Sequence, residues 1–169
     1  QQEQIEGDQH AGEKHIPEGE GTWRSQANGG WKEVLMLELS RALVNHLRSD
    51  SILASKLGEF RGHPAIFATS PVPDPTTTPF VVTLGISDIT LKTKSGIVRE
   101  VNQDIGIYDD EDGSPADIED ISEYIREKLR APLVVPDWSM SALEMSGPVL
   151  NDTDELHGRV LTARIVLDR

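Results

Sequence analysis

A chain of 169 residues with 37% hydrophobic and 27% charged residues has the composition of one globular domain on the polar side of average. Its net charge of −13 argues against phosphate-backbone binding, whose affinity comes mainly from Lys and Arg. The lack of cysteine excludes a disulfide framework, a thiolate metal site and a cysteine nucleophile.

No apolar run approaches the roughly 20 residues of a membrane helix, and no signal-peptide core is visible. The expectation is a soluble protein made in a reducing compartment, its numbering opening on Gln1 rather than on an initiator residue. Between Glu100 and Glu123 lie ten carboxylates and no Lys or Arg, which account for most of the acidic excess. Such a run keeps a protein in solution by self-repulsion, or forms a surface that sits near nucleic acid without adhering to it.

Residues 1–30 read as an extended polar arm. Ile5 and Ile16 are their only aliphatic side chains larger than alanine, and such a segment cannot bury a core alone. Trp23 is the exception, and an arm with one large apolar group is expected to lie on a neighbouring subunit through it. A domain over residues 31–169 follows. Its first helix is expected over residues 31–48, started at Asn28-Gly29-Gly30, with Leu35, Leu39, Ala42, Leu43, His46 and Leu47 on one stripe. His46 reads as a packed, hydrogen-bonded histidine. Ser49-Asp50 leads into a short second helix carrying Ile52, Leu53 and Leu57 and ended by Gly58.

Ala65-Ile66-Phe67 reads as a first strand. Pro71, Pro73, Pro75 and Pro79 then forbid helix and central strand, so an extended loop leads onward; a PxxP ligand is the weaker reading of it. Residues 79–108 carry the strongest signal. Phe80, Val82, Leu84 and Ile86 alternate with Val81, Thr83 and Gly85, and Ile89 and Leu91 alternate with Thr90 and Lys92. A turn at Ser95-Gly96 follows, then a long strand with Ile97, Val101, Ile105 and Ile107 on one face.

The run 108–119 resembles a calcium loop in part, but Tyr108 stands where the first carboxylate belongs and a strand precedes it. The better reading is a helix start, with Ser114 as N-cap, Pro115 at the first helical position and Asp117 completing a capping-box-like pair. Ile118, Ile121, Ile125 and Leu129 form its apolar face with Tyr124 beside them. Acidic residues crowd its first half and basic ones its second, with Glu123–Arg126 and Glu127–Arg130 pairs. Leu133-Val134-Val135, stopped by Pro136, reads as β-like, as does the alternation of Trp138, Met140 and Ala142 with serines. Gly147-Pro148 reads as a turn, residues 151–154 as a polar loop, and residues 159–169 as a closing strand with Leu161, Ala163, Ile165 and Leu167 on one face. The sum is an α+β fold, a mostly antiparallel sheet meander with two amphipathic helices packed on one face.

No catalytic or metal-binding pattern assembles. There is no phosphate-cradling glycine loop, nucleophile elbow or H-E-x-x-H motif, and His10, His15, His63 and His157 have no sequence-near partners that suggest a site.

The order of elements resembles the tail completion, or tail terminator, proteins of long-tailed bacteriophages. The points of contact are VLMLELSRALVNHL, then DSILASKLG before AIF, the lead-in TPFVVTLG, the strand EVNQDIGIYD, and the helix ADIEDISEYIREKL after an acidic break. The resemblance covers residues 31–169 and lies in the order of apolar patterns. It implies a non-enzymatic virion subunit, without cofactor or membrane partner, assembled in the host cytoplasm. Six copies would form a ring on the last disc of the tail tube, ending its polymerisation and facing the neck of the DNA-filled head. The implied partners are the chain itself, the tail tube protein and a neck or head-completion protein, with DNA passing through the lumen unbound. A neck adaptor and a monomeric binding module are the competing readings. Within the ring reading, Trp23, Trp31, Trp138 and Met140 are the expected intersubunit or partner contacts, and Asp109, Asp110, Glu111 and Asp112 the expected lumen-facing acidic loop.

Overall fold

In the computed structural model, the residues described are 23–94 and 96–169, with side chains described from Val34 onward. Helix α1 (Trp23–Arg48) is followed by α2 (Ser51–Lys56) and three short strands, β1 (Glu59–Phe60), β2 (His63–Pro64) and β3 (Ile66–Phe67). Two long strands, β4 (Phe80–Lys92) and β5 (Ile97–Asp110), form a hairpin, and α3 (Pro115–Lys128) leads to β6 (Ser139–Leu150) and β7 (Leu156–Asp168). The main sheet has the order β3-β4-β5-β7-β6; β3 pairs with β4 in parallel and every other pair is antiparallel. Strands β1 and β2 pair separately. This is the expected α+β architecture.

Helices α1, α2 and α3 cover one face of the sheet. Leu35, Leu39, Leu43 and Leu47 of α1 and Ile118, Ile121, Ile125 and Leu129 in and after α3 are buried against Val101, Ile105 and Ile107 of β5 and Leu161, Ala163, Ile165 and Leu167 of β7. Helical spacing on two elements thus meets period-two spacing on two strands, and water leaves the layer between them. A smaller cluster, Ala65, Phe67, Phe80, Val82 and Tyr108, sits on the opposite face beneath Phe60 and Val72.

Several expectations are corrected. The first helix begins at Trp23, eight residues before position 31. Helix extension adds one hydrogen bond per residue fixed, so glycines that disfavour helix by about 1 kcal/mol each do not end it. Gly58 does not cap α2, whose C-cap is Leu57. Its role is close approach, since a Cβ there would lie 2.1 Å from the Thr77 carbonyl oxygen. Ser114 is the N-cap of α3 without a side-chain cap bond, so no capping box forms. Leu133 and Val135 are buried while Val134 is exposed, but they belong to a loop closed by the Val135–Trp138 bridge and not to a strand.

A bulge between Thr83 and Ile86 reverses the facing of β4. One extra residue shifts the period-two pattern, so Ile86 joins the helix-side core while Leu84 packs with the smaller cluster. Gly147-Pro148 is likewise a bulge within β6 and not a turn, lying where the register shifts between Ser146 and Val149.

Candidate functional site

Among the described residues no group of three or more His, Cys, Asp and Glu could hold a metal ion. His46 sits half-buried with Nε2 3.3 Å from the Lys128 carbonyl oxygen, the hydrogen-bonded role read from the sequence. The candidate functional features are therefore surfaces, and the sheet supplies three.

The first is the face turned away from the helices. Arg164 of β7 bridges its neighbours there: Nε donates to Glu100 Oε1 at 2.8 Å, Nη2 to Glu100 Oε2 at 3.0 Å and Nη1 to Glu144 Oε2 at 2.9 Å. The fork-to-fork contact with Arg164 holds the Glu100 carboxyl below its ordinary range, and both carboxylates push the Arg164 guanidinium up. Thr162 Oγ1 donates to Asp104 Oδ1 at 2.6 Å beside this ladder. Three strands are thus tied by charge where no second layer of described residues covers them.

The second is the tip of the β4–β5 hairpin. Past the bulge, Ile89 and Leu91 lie on the face turned away from the helices, with Glu100, and are 54% and 51% exposed, while Ile97 is exposed on the opposite face. Lys92 and Lys94 stand beside them, exposed and without an ion pair among the described residues.

The third lies at the other end of the same strands. Val149 and Leu150, which close β6, are each 64% exposed. The β6–β7 loop that follows carries Asp152, Asp154 and Glu155, and the turn after β5 carries Glu111 and Asp112. Asp152 is committed within the chain: it accepts from Gly158 N at 2.8 Å and pairs with Arg159 at 3.4 Å, and the backbone bond lowers its pKa. Asp154, Glu155, Glu111 and Asp112 are exposed, with no ion pair among the described residues.

The residues singled out from the sequence are only partly brought together. The side chains of Trp23 and Trp31 lie outside the described set. Trp138 and Met140 are half-buried and pack on the helix-side core. The Trp138 ring is flanked by the guanidinium groups of Arg99 and Arg169, each 5.8 Å from its centre. That stacking is internal and covers the ring expected to be an exposed aromatic. The acidic loop is shorter than expected. Asp109 and Asp110 are the last residues of β5, and Asp109 is only 6% exposed, with Oδ1 accepting from Asp110 N. Asp110 is exposed and accepts from Thr78 Oγ1 at 2.9 Å. Asp109 is therefore buried within the chain, because β5 runs on through it. The hairpin tip and the β6 end escaped the sequence reading, since the register shifts in β4 and β6 set Ile89, Leu91 and Val149 on the face without helices, and alternation alone does not reveal a shift.

No protein-family model matches the chain, and no curated protein sequence is similar to it. A chain from a solved structure described as the virion of a native gene transfer agent particle has a similar fold, with a TM-score of 0.66 and 19% identity. The alignment spans 78% of the present chain and 95% of that one. At this identity the likeness is one of fold.

Proposed function

We propose that the chain is a structural virion protein that forms a ring, a hexamer, on the end of a phage tail tube. The ring ends tube polymerisation and joins the tail to the neck of the head. The single observation that carries the reading is the fold shared with a chain of a gene transfer agent virion over most of both lengths. The ordered resemblance to tail terminators and the presence of two unlike ends on one sheet support it. A closed ring needs two different patches per subunit, and a sheet whose ends differ in charge offers them. In this reading the partners are further copies of the chain, the tail tube protein and a neck protein. The exposed acids Asp110, Glu111 and Asp112 face passing DNA and repel it. The start of α1 meets a neighbouring copy through Trp23.

The test is to add the purified protein to polymerising tail tube protein and measure tube lengths by electron microscopy. Arrested growth, with the added protein found at one tube end, is the expected result. Tubes that grow unchanged would sink the terminator reading. Binding to isolated head connectors but not to tubes would assign the neck role instead.

A further inference from the structure

We infer that neighbouring copies of this chain meet end to end along the strand direction, the β4–β5 hairpin tip of one against the β6–β7 end of the next. This rests on the ring reading above and names the contact that would close it.

The two ends are opposite by topology. Lys92 pairs with Ile97 and Val98 with Asp168, so the hairpin tip and the end of β7 share one end of the sheet. Asp110 pairs with Leu156 and Leu150 with Arg159, which places the acidic loops at the other. The first end offers the exposed Lys92 and Lys94 at the hairpin tip, with Ile89 and Leu91 on the outer face of the same hairpin and Asp168 across β5 on β7. The second offers Asp154 and Glu155 in the loop that follows Val149 and Leu150. Exposed apolar side chains therefore share one end with cations, and the other end with anions, that have no ion pair among the described residues. Burying the apolar pairs supplies the attraction, and the charges select the partner.

The same charges decide the symmetry. An isologous dimer through either end would set lysines against lysines or carboxylates against carboxylates. Only a head-to-tail contact joins unlike ends, and such a contact closes into a ring when its rotation allows. A second copy of this chain is thus the occupant that satisfies both ends at once.

The experiment uses two paired charge reversals at exposed positions, Lys92→Glu with Lys94→Glu, and Asp154→Lys with Glu155→Lys. Mass is measured by light scattering at low ionic strength, and folding is checked by circular dichroism. The wild type is expected to run as a hexamer and each reversed variant as a monomer of unchanged fold. An equimolar mixture of the two variants is expected to regain the hexamer mass, because alternating copies restore every unlike contact. Reversed variants that stay hexameric would overturn the contact and leave the ring intact. A mixture that stays monomeric would overturn it too. A wild type that is monomeric at every concentration would overturn both the contact and the ring in solution.

Discussion

Lys128 near the end of α3 places Nζ 2.8 Å from Oδ2 of Asp50, the N-cap of α2. The same carboxylate accepts from Ile52 N and Leu53 N at 2.9 Å and from Tyr124 Oη at 3.0 Å. One side chain therefore starts a helix and ties it to another that lies distant in sequence. The Lys128 bond, the Leu53 amide and the Tyr124 hydroxyl hold Asp50 well below the ordinary carboxylate range despite its burial.

Asp50→Asn should keep part of the cap and lose the ion pair, whereas Asp50→Ala should lose both, the cap alone being worth about 1 kcal/mol. Urea unfolding at neutral pH should rank wild type above Asn above Ala. The pH dependence has a definite sign. A lowered folded pKa contributes stability above the unfolded value near 3.9, and that contribution is lost as pH falls through the folded value. The gap between wild type and Asp50→Asn should narrow as pH falls below about 4. The raised Lys128 pKa acts at the other limb, its contribution being lost as pH climbs through the folded value. A gap that stays constant from neutral pH into the acid would contradict the assignment.

At the β4 bulge the Leu84 carbonyl accepts a hydrogen bond from the Gln103 side chain. This fully buried side chain donates from Nε2 to Leu84 O at 3.1 Å, while Oε1 accepts from Ser40 Oγ at 3.1 Å. Gln103→Leu should destabilise by about 1–3 kcal/mol, because it removes a buried side chain's bonds to Leu84 O and Ser40 Oγ. In a double-mutant cycle with Ser40→Ala, the two losses should sum to more than the double variant shows. Strict additivity would dissolve the proposed network.

Tyr108 lies in a notch left by two glycines. A Cβ on Gly106 would approach the ring to 2.5 Å, and one on Gly158 would lie 2.7 Å from the ring and 2.3 Å from the Asn151 carbonyl oxygen. Phe80 stacks on the ring with centres 5.5 Å apart, and Asn151 Nδ2 donates to Tyr108 Oη at 2.6 Å. Gly158→Ala should cost about 1–3 kcal/mol through overpacking and alter the near-ultraviolet dichroism. Tyr108→Phe should lose only the hydrogen bond, about 1 kcal/mol. Calorimetry that ranks the two the other way would refute the notch.

The Arg164 ladder makes a titration prediction. Replacing Arg164 by Met should raise the Glu100 pKa toward its ordinary value, since the guanidinium contact is the main force lowering it. Carboxyl chemical shifts followed through an acid titration measure this directly. An unmoved Glu100 midpoint would show the ladder to be loose in solution.

Local spacing carried much of the architecture. The face of α3 was readable because Ile118, Ile121 and Ile125 recur at helical intervals, and the Glu123–Arg126 and Glu127–Arg130 pairs form as read, at 2.7 Å and 3.0 Å. What escaped the sequence depends on partners far along the chain. Asp50 looks like any turn aspartate until Lys128 and Tyr124 fold beside it. Trp138 looks like an exposed aromatic until Arg99 and Arg169 close on it. Gly147-Pro148 carries the same signal whether a strand ends or bulges, and only pairing with β7 on both sides distinguishes the two. Ile89 and Leu91 alternate as buried residues do, but the bulge between Thr83 and Ile86 turns them to the face without helices, and alternation cannot show a bulge.

The strand order also sets a sequence of events in time. β7 lies between β5 and β6, yet it is synthesised after both. While a ribosome is still making β7, β6 has no neighbour in the sheet, and the inner edge of β5 stands open along its length. Long-range pairing of this kind is slow and exposes unpaired strand edges meanwhile. The nascent chain therefore cannot offer a finished β6 end to another copy until β7 has emerged. In the proposed ring, joining of half-made subunits is thereby deferred until β7 completes the sheet.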